Sequence, residues 1–128
     1  MLATCFHLED PIDTYLSPQH PRQLQILDLV ADAMGRESAS IALATDGCSV
    51  PTFGGTVTEF ARSFAALSNP AIAPSDRIRA HESAIARILA AMSGYPENIA
   101  GAGSLDTELM RLSNGEIVAK VGAEGLLC

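Results

Sequence analysis

The sequence predicts an α+β fold, within the broad α/β class, that is rich in helices and includes a partial antiparallel sheet. Several stretches place apolar residues three and four positions apart, as in helices that bury one face. Short apolar runs bounded by glycine-containing turns indicate strands. The chain has 128 residues, which is enough for one hydrophobic core. We therefore expect residues 1–128 to form a single partial domain.

The first long helix is predicted from a Ser17–Pro18 cap to about Met34, and Gly35 would end it. Its apolar positions have the spacing of one buried face: Leu24, Leu27, Val30, Ala31 and Met34. Ahead of it, residues 1–8 form an apolar segment that begins abruptly, as if a helix had been entered part-way. This helix is expected to pack against the rest of the domain.

The next helix is predicted after a Thr-Val-Thr-Glu capping box at Thr56 and should end at Asn69–Pro70. A third helix is predicted from a Ser75 cap to Gly94, and a short one over residues 106–112. Only 5% of the residues are aromatic. We therefore expect these helices to pack closely through small and aliphatic side chains.

A strand is predicted over Ser40–Thr45, ahead of an Asp-Gly turn, although a buried helical turn would give the same pattern. Near the carboxyl end, Asn114–Gly115 indicates a hairpin-type turn that leads into a strand around Lys120. Residues 125–128 resemble the start of a further strand without a partner, and such an edge is normally covered. We therefore expect an internal-to-carboxy-terminal portion of a longer chain.

Charge and composition exclude several classes of function. The net charge is -7, with 8 basic and 15 acidic residues, which disfavours binding to nucleic acid. No apolar run approaches the roughly 18 residues of a membrane span, and no secretion signal is visible, so a cytoplasmic location is the default. The 3 cysteines include no Cys-x-x-Cys pair, so they encode neither a disulfide framework nor a self-contained zinc site.

Lys120 is the only lysine of the chain, and it lies in an apolar stretch punctuated by glycine. Because Val118 and Val121 flank it on an extended segment, we expect its ammonium to be partly desolvated. Desolvation lowers the pKa of a lysine from about 10.4 towards the range in which it can exchange protons. The alternative is an ordinary strand-end lysine with its head in water.

The loop from Thr45 to Thr56 combines the carboxylate of Asp46, the thiol of Cys48 and several hydroxyls between a predicted strand and a helix start. Loops in this position often carry functional groups. Gly54–Gly55 would allow the backbone to approach a bound molecule closely. The alternative is a structural Asp-Gly turn with a buried cysteine. Elsewhere, the histidines lack ligand-like spacing, and no serine lies in a Gly-x-Ser-x-Gly or Ser-x-x-Lys motif.

Several blocks follow one another in an informative order. They are Met1–Cys5, Tyr15–Pro21, Asp46–Phe53, Tyr95–Gly103 and Lys120–Gly125. Together the blocks resemble the asparaginase II family, the thermolabile L-asparaginases, nearly from end to end. The resemblance implies a serine beta-lactamase-like fold, of which this chain would form a helix-rich part with a partial antiparallel sheet.

The resemblance also implies residue roles. In the family, a serine of an upstream Ser-x-x-Lys motif attacks the side-chain amide, and water then hydrolyses the acyl-enzyme. Lys120 matches an assisting, catalytic lysine, and Asp46 would orient the substrate or the lysine network. Cys48 matches one ligand of a zinc ion that the family holds with two cysteines and a lysine. We expect zinc in the full-length protein but not in this chain alone, because one thiolate cannot hold it.

The resulting expectation is an L-asparaginase that hydrolyses the small molecule L-asparagine to aspartate and ammonia, without nucleic-acid or membrane partners and with a homodimer as a compatible assembly. This chain alone should be inactive, since the nucleophile segment is missing. The preference between asparagine and glutamine stays open, because a pocket discriminates two substrates that differ by one methylene by only about 1–3 kcal/mol. The alternatives are a non-catalytic helical pseudoenzyme or partner-binding remnant, and a beta-lactamase-type hydrolase of a different amide.

Overall fold

The computed structural model describes residues 1–128, with the side chain of Glu124 outside the description. Its helices and strands, in chain order, are α1 (Leu2–His7), α2 (Pro21–Met34), β1 (Ala42–Thr45), β2 (Pro51–Gly54), α3 (Val57–Ser68), α4 (Asp76–Ala80), α5 (Glu82–Gly94), α6 (Glu97–Ala100) and α7 (Leu105–Leu112). The two strands pair antiparallel. The predicted helix-rich α+β class is confirmed. None of these helices, within the described residues, is long and apolar enough to cross a membrane.

Helix α2 begins later than the sequence predicted, because a histidine caps it. The Nδ1 atom of His20 accepts a hydrogen bond from the backbone N–H of Arg22 at 3.1 Å, and its Nε2 donates to the carbonyl of Pro11 at 2.8 Å. Pro21 then occupies the first helical position, where its missing N–H costs nothing. The predicted cap at Ser17–Pro18 is wrong, because those residues lie in the preceding turn.

The carboxyl end of α2 is as predicted. Gly35 has a φ of 70° and ψ of 40°, the left-handed conformation that glycine adopts without steric cost. A Cβ atom at this position would lie 3.4 Å from the Cβ atom of Pro74. That distance is an ordinary van der Waals contact, so glycine is favoured here by its left-handed conformation, which ends the helix.

Helix α3 begins with the predicted capping box. The Thr56 hydroxyl accepts from the backbone N–H of Glu59 at 3.2 Å, and the Glu59 carboxylate accepts from the backbone N–H of Thr56 at 2.6 Å. The carboxylate also accepts from the Thr56 hydroxyl at 2.9 Å. The backbone bond first and then this hydroxyl bond lower the pKa of Glu59, with a smaller contribution from Arg36, and outweigh its partial burial. The box fixes the direction in which the chain leaves the β-hairpin.

Replacing Thr56 with alanine should lower the free energy of unfolding by about 1 kcal/mol, because the N–H groups of the first turn lose an acceptor. Urea unfolding followed by circular dichroism at 222 nm would measure the change. Thr58→Ala is the matched control, since Thr58 is exposed within the same first turn. Equal losses in the two variants would contradict a specific capping role.

The core consists of two clusters built around α2. Ala66, Ala73, Ile78 and Ile85 form one cluster beneath α3, α4 and α5. The other contains Ala31, Met34 and Ile41, with Phe53 and Phe60 packed against it. Small alanines allow the helix backbones to approach closely, as the low aromatic content predicted. The second cluster anchors the β-hairpin to α2.

The predicted third helix is interrupted at His81, which separates α4 from α5. Its backbone (φ -97°, ψ 12°) leaves the helical region, so that its N–H reaches the carbonyls of Arg79 and Ile78 in a tightened turn. The amphipathic pattern also overestimated burial. Ile88 of α5 and Val57 of α3 have the apolar spacing of a buried face, but they are 59% and 75% exposed.

The carboxyl end pairs differently from the prediction. The backbone N–H of Asn114 bonds the carbonyl of Arg111, and that of Gly115 bonds the carbonyl of Met110, so this turn ends α7 and is not a hairpin turn. The Lys120 segment instead pairs with residues 126–128 through an isolated antiparallel bridge. The arm predicted to lack a partner therefore has one.

Candidate functional site

Asp46 and Cys48 lie in the turn that joins β1 to β2. The strands pair up to Thr45 opposite Pro51, and the N–H of Ser49 then bonds the Asp46 carbonyl at 2.8 Å. Ser49 has a φ of 68°, so it supplies the left-handed residue that closes this type of hairpin loop. The Asp-Gly turn was predicted, whereas β2 was missed because proline and glycine at its ends disfavour strands.

The two functional groups of this turn are in direct contact. The Sγ atom of Cys48 lies 3.1 Å from Oδ2 of Asp46, close enough for the thiol to donate a hydrogen bond to the carboxylate. That bond, followed by bonds from the backbone of Gly47 and Cys48, lowers the pKa of Asp46 against a small opposing effect of burial. Both side chains are exposed, so the alternative of a buried cysteine is wrong.

The glycines after the hairpin approach the chain's own side chains. A Cβ atom on Gly54 would lie 3.2 Å from Cβ of Ala42 on the paired strand. A Cβ atom on Gly55 would lie 3.0 Å from Cε of Met34. The sequence predicted that the backbone here would approach a bound molecule, but the close neighbours in the structure are side chains of β1 and of the protein core. The absence of a side chain at Gly54 leaves room for β1, and its absence at Gly55 leaves room for Met34 of α2.

Lys120 has a different environment from the predicted one. Its side chain is exposed, and Nζ donates to the carbonyl of Val121 at 2.6 Å. The prediction of a partly desolvated ammonium is wrong, because the neighbouring Ala119, at 3% exposure, is the residue that this segment buries. Among the described residues, no hydrogen bond or ion pair joins Lys120 to Asp46 or Cys48. The structure thus brings two of the three predicted site residues together.

A buried carboxylate that sequence reasoning did not identify lies beside the Lys120 segment. Asp106 and Thr107, at the start of α7, are both 0% exposed. Oδ2 of Asp106 accepts from the backbone N–H of Val121 at 3.2 Å. Burial is the largest single influence on Asp106 and opposes its ionisation. Hydrogen bonds from Ser104 and from the backbone of Val121, Asp106 and Thr107 together outweigh it, so its pKa lies below the usual value. An acidic residue in the first turn of a helix is ordinarily exposed, so the sequence pattern did not distinguish it.

The zinc ion implied by the resemblance does not fit these residues alone. Cys48 and Asp46 present a sulfur and an oxygen donor side by side. Within the described part of the chain, no group of three or more His, Cys, Asp or Glu side chains is arranged to hold a metal ion. A structural zinc site usually has four ligands. The hairpin therefore supplies at most a portion of such a site.

Comparison with known proteins identifies the family of the chain. A search of curated proteins found no match. A family model described as L-asparaginase II matches residues 1–128, the full length of the sequence. This match confirms the resemblance noted from the ordered blocks and supports an asparaginase-like amidohydrolase at the level of the family. The chain belongs to the L-asparaginase II family.

Proposed function

We propose that this chain is a partial domain of an L-asparaginase, which hydrolyses the side-chain amide of L-asparagine to aspartate and ammonia. The observation that carries the proposal is the match of the L-asparaginase II family model to all of residues 1–128. The contact between Cys48 and Asp46 adds support, because it places a thiol and a carboxylate together on an exposed turn. Exposed functional groups on a turn fixed by a rigid hairpin are well suited to substrate contact.

Each predicted site residue has a role in this proposal. Lys120 carries an ammonium that can deliver a proton to the amide nitrogen, which then leaves as ammonia. Asp46 is ionised at neutral pH, given its lowered pKa, and would bind the α-ammonium group of asparagine or orient the lysine. Cys48 would contribute one thiolate to the family's zinc ion, with the other ligands supplied from outside residues 1–128.

The nucleophile must also come from outside this sequence. The reaction begins when a serine oxygen attacks the amide carbon, which forms an ester to the enzyme as ammonia leaves; water then cleaves the ester. Lys120 is the only lysine, and no serine precedes it by three positions, so the 128 residues contain no Ser-x-x-Lys motif. We therefore propose that these residues alone do not turn over asparagine.

Release of ammonia and aspartate tests the proposal. The 128-residue chain and the same chain preceded by a family Ser-x-x-Lys segment would each be incubated with asparagine, glutamine or nitrocefin. We expect asparagine turnover only in the longer protein. Turnover of nitrocefin without asparagine would support a beta-lactamase-type hydrolase instead. Steady asparagine turnover by the 128 residues alone, abolished by Lys120→Ala, would contradict the proposed nucleophile.

A second candidate, a non-catalytic partner-binding module, is favoured by the exposed apolar surface. The accessible surface is 8175 Å², against about 6,500 Å² expected for a compact monomer of 13.4 kDa. The surface includes an apolar groove of about 140 Å³. Its lining residues are Phe64, Leu67, Ser68, Ile85, Ile88, Leu89, Met92 and Val118. A longer protein that folds cooperatively yet releases no ammonia from asparagine would favour this candidate over the enzyme.

A further inference from the structure

The carboxylate of Asp106 is unusual because it is buried without a cationic partner. The residue is 0% exposed, and among the described residues it takes part in no ion pair. Aspartate is almost never fully buried unless it is paired, because removing a charge from water is costly. Hydrogen bonds to the carboxylate must therefore replace the lost water. The identity of their donors indicates what the residue does.

Besides its bond from Ser104, described above, the carboxylate bonds two backbone groups that belong to different elements. Oδ1 accepts from the N–H of Thr107, the next residue in α7, at 3.2 Å. Oδ2 accepts from the N–H of Val121, 15 positions further along the chain, at 3.2 Å. Hydrogen bonds to a charged acceptor are stronger than those between neutral groups. Asp106 therefore joins the start of α7 to the segment that carries Lys120.

The backbone of residues 120–122 is also hydrogen-bonded, on the side away from Asp106, to residues 126–128, the carboxyl-terminal arm. The N–H groups of Lys120 and Gly122 donate to the carbonyls of Cys128 and Leu126, each at 2.8 Å. Successive N–H groups of an extended chain point to opposite sides, so the N–H of Val121 points away from that arm. The Asp106 carboxylate accepts the hydrogen bond from this N–H, which a neighbouring strand would accept in a sheet. The backbone around Lys120 is thereby fixed from both sides.

We propose that Asp106 is a positioning residue for Lys120, which it orients through the backbone of Val121. The proposal rests on the catalytic role of Lys120 proposed above. A lysine that transfers protons must be held close to its correct geometry, and the hydrogen-bonded backbone supplies this constraint because the side chain itself is exposed. The lowered pKa of Asp106 keeps the carboxylate charged at neutral pH, which strengthens its bond to Val121.

Hydrogen exchange of the Val121 amide tests the anchoring step in the 128-residue chain. Asp106→Ala removes the acceptor, so the exchange rate of this amide should rise about tenfold or more relative to amides of α3. The Cε–Hε signal of Lys120, which is unique because the chain has one lysine, should shift in the same variant. If Asp106→Ala does not fold, the same two measurements are made on Asp106→Asn, which keeps the shape of the side chain but lacks its charge. This variant should give a smaller change of the same kind.

Thr107→Val is the matched control. Thr107 is equally buried, and its hydroxyl bonds the carbonyls of Gly101 and Pro96 and accepts from the hydroxyl of Ser104. None of these hydrogen bonds involves Val121. The control should destabilise the start of α7 and leave the relative exchange of Val121 unchanged. The proposal is overturned if Asp106→Ala or Asp106→Asn leaves the Val121 amide and the Lys120 signal unchanged, or if Thr107→Val changes them to the same extent.

Kinetics of the longer, serine-bearing protein separate this inference from the proposed function. Asp106→Ala should lower kcat for asparagine about tenfold or more while KM changes little, and Thr107→Val should retain kcat. Altered exchange at Val121 with no asparagine turnover in any protein would refute the proposed function and leave the anchor established. Unaltered exchange with normal turnover would refute the anchor and leave the proposed function standing.

Discussion

Replacing Lys120 with alanine in the longer, serine-bearing protein is expected to lower kcat for asparagine by about 10²- to 10⁴-fold, the range for loss of a general acid or base. The physical reason is that the amide nitrogen must gain a proton to leave as ammonia, and Lys120 is the residue proposed to deliver that proton. Steady-state measurement of ammonia release at saturating asparagine gives kcat directly. The melting temperature should change little, because the Lys120 side chain is exposed.

Two further variants show whether the loss of kcat in Lys120→Ala comes from the lost positive charge or from the lost proton transfer. Lys120→Arg keeps the positive charge, but a guanidinium stays protonated at every accessible pH, so it should be about as inactive as the alanine variant. Arg87→Ala removes an exposed cation from α5 and should retain full activity. Wild-type kcat in Lys120→Ala, or an equal loss in Arg87→Ala, would refute a catalytic role for this lysine.

Replacing Met34 with alanine should lower the free energy of unfolding by about 2–5 kcal/mol, because it leaves a cavity in the core. Met34 is 1% exposed and packs with Ala31 and Ile41 in the cluster that holds the β-hairpin. Its Cε atom also lies 3.0 Å from the position of a Cβ atom on Gly55, directly after β2. The loss therefore affects the same contacts that position the Asp46 turn. Urea unfolding of the purified variant would measure it.

Two controls define the origin of that loss. Leu112→Ala removes a similar amount of apolar side chain, but Leu112 is 81% exposed, so its stability should stay close to wild type. Met34→Leu conserves volume and should cost less than about 1.5 kcal/mol. If Met34→Ala were no more destabilising than Leu112→Ala, the core assigned to α2 and the hairpin would be wrong.

Local signals explain why much of the secondary structure was predictable. The left-handed Gly35, the capping box of Thr56 and the cap at Ser75 each act within a few residues of themselves. Their geometry depends little on the rest of the molecule. The same reasoning fails for the start of α2, because the His20 ring caps that helix while also bonding Pro11, a contact from outside the helix.

The candidate site depends on contacts that local patterns do not encode. The Asp-Gly turn was visible, but its contact between Cys48 and Asp46 arises because β2 pairs with β1 and the turn folds back on itself. The exposure of Lys120 was predicted wrongly, since flanking valines report hydrophobicity and not which face of a segment is covered. The link from Asp106 to Val121 spans 15 positions and has no sequence signature.

The sequence by itself determined the family, the helix-rich α+β class and several helix ends, because ordered motifs, caps and left-handed glycines act over short distances along the chain. Tertiary structure alone decided which apolar faces are buried, which strands pair and where the lone ammonium of Lys120 lies. Those properties depend on how distant segments exclude water from one another, as the burial of Asp106 beneath the Lys120 segment demonstrates.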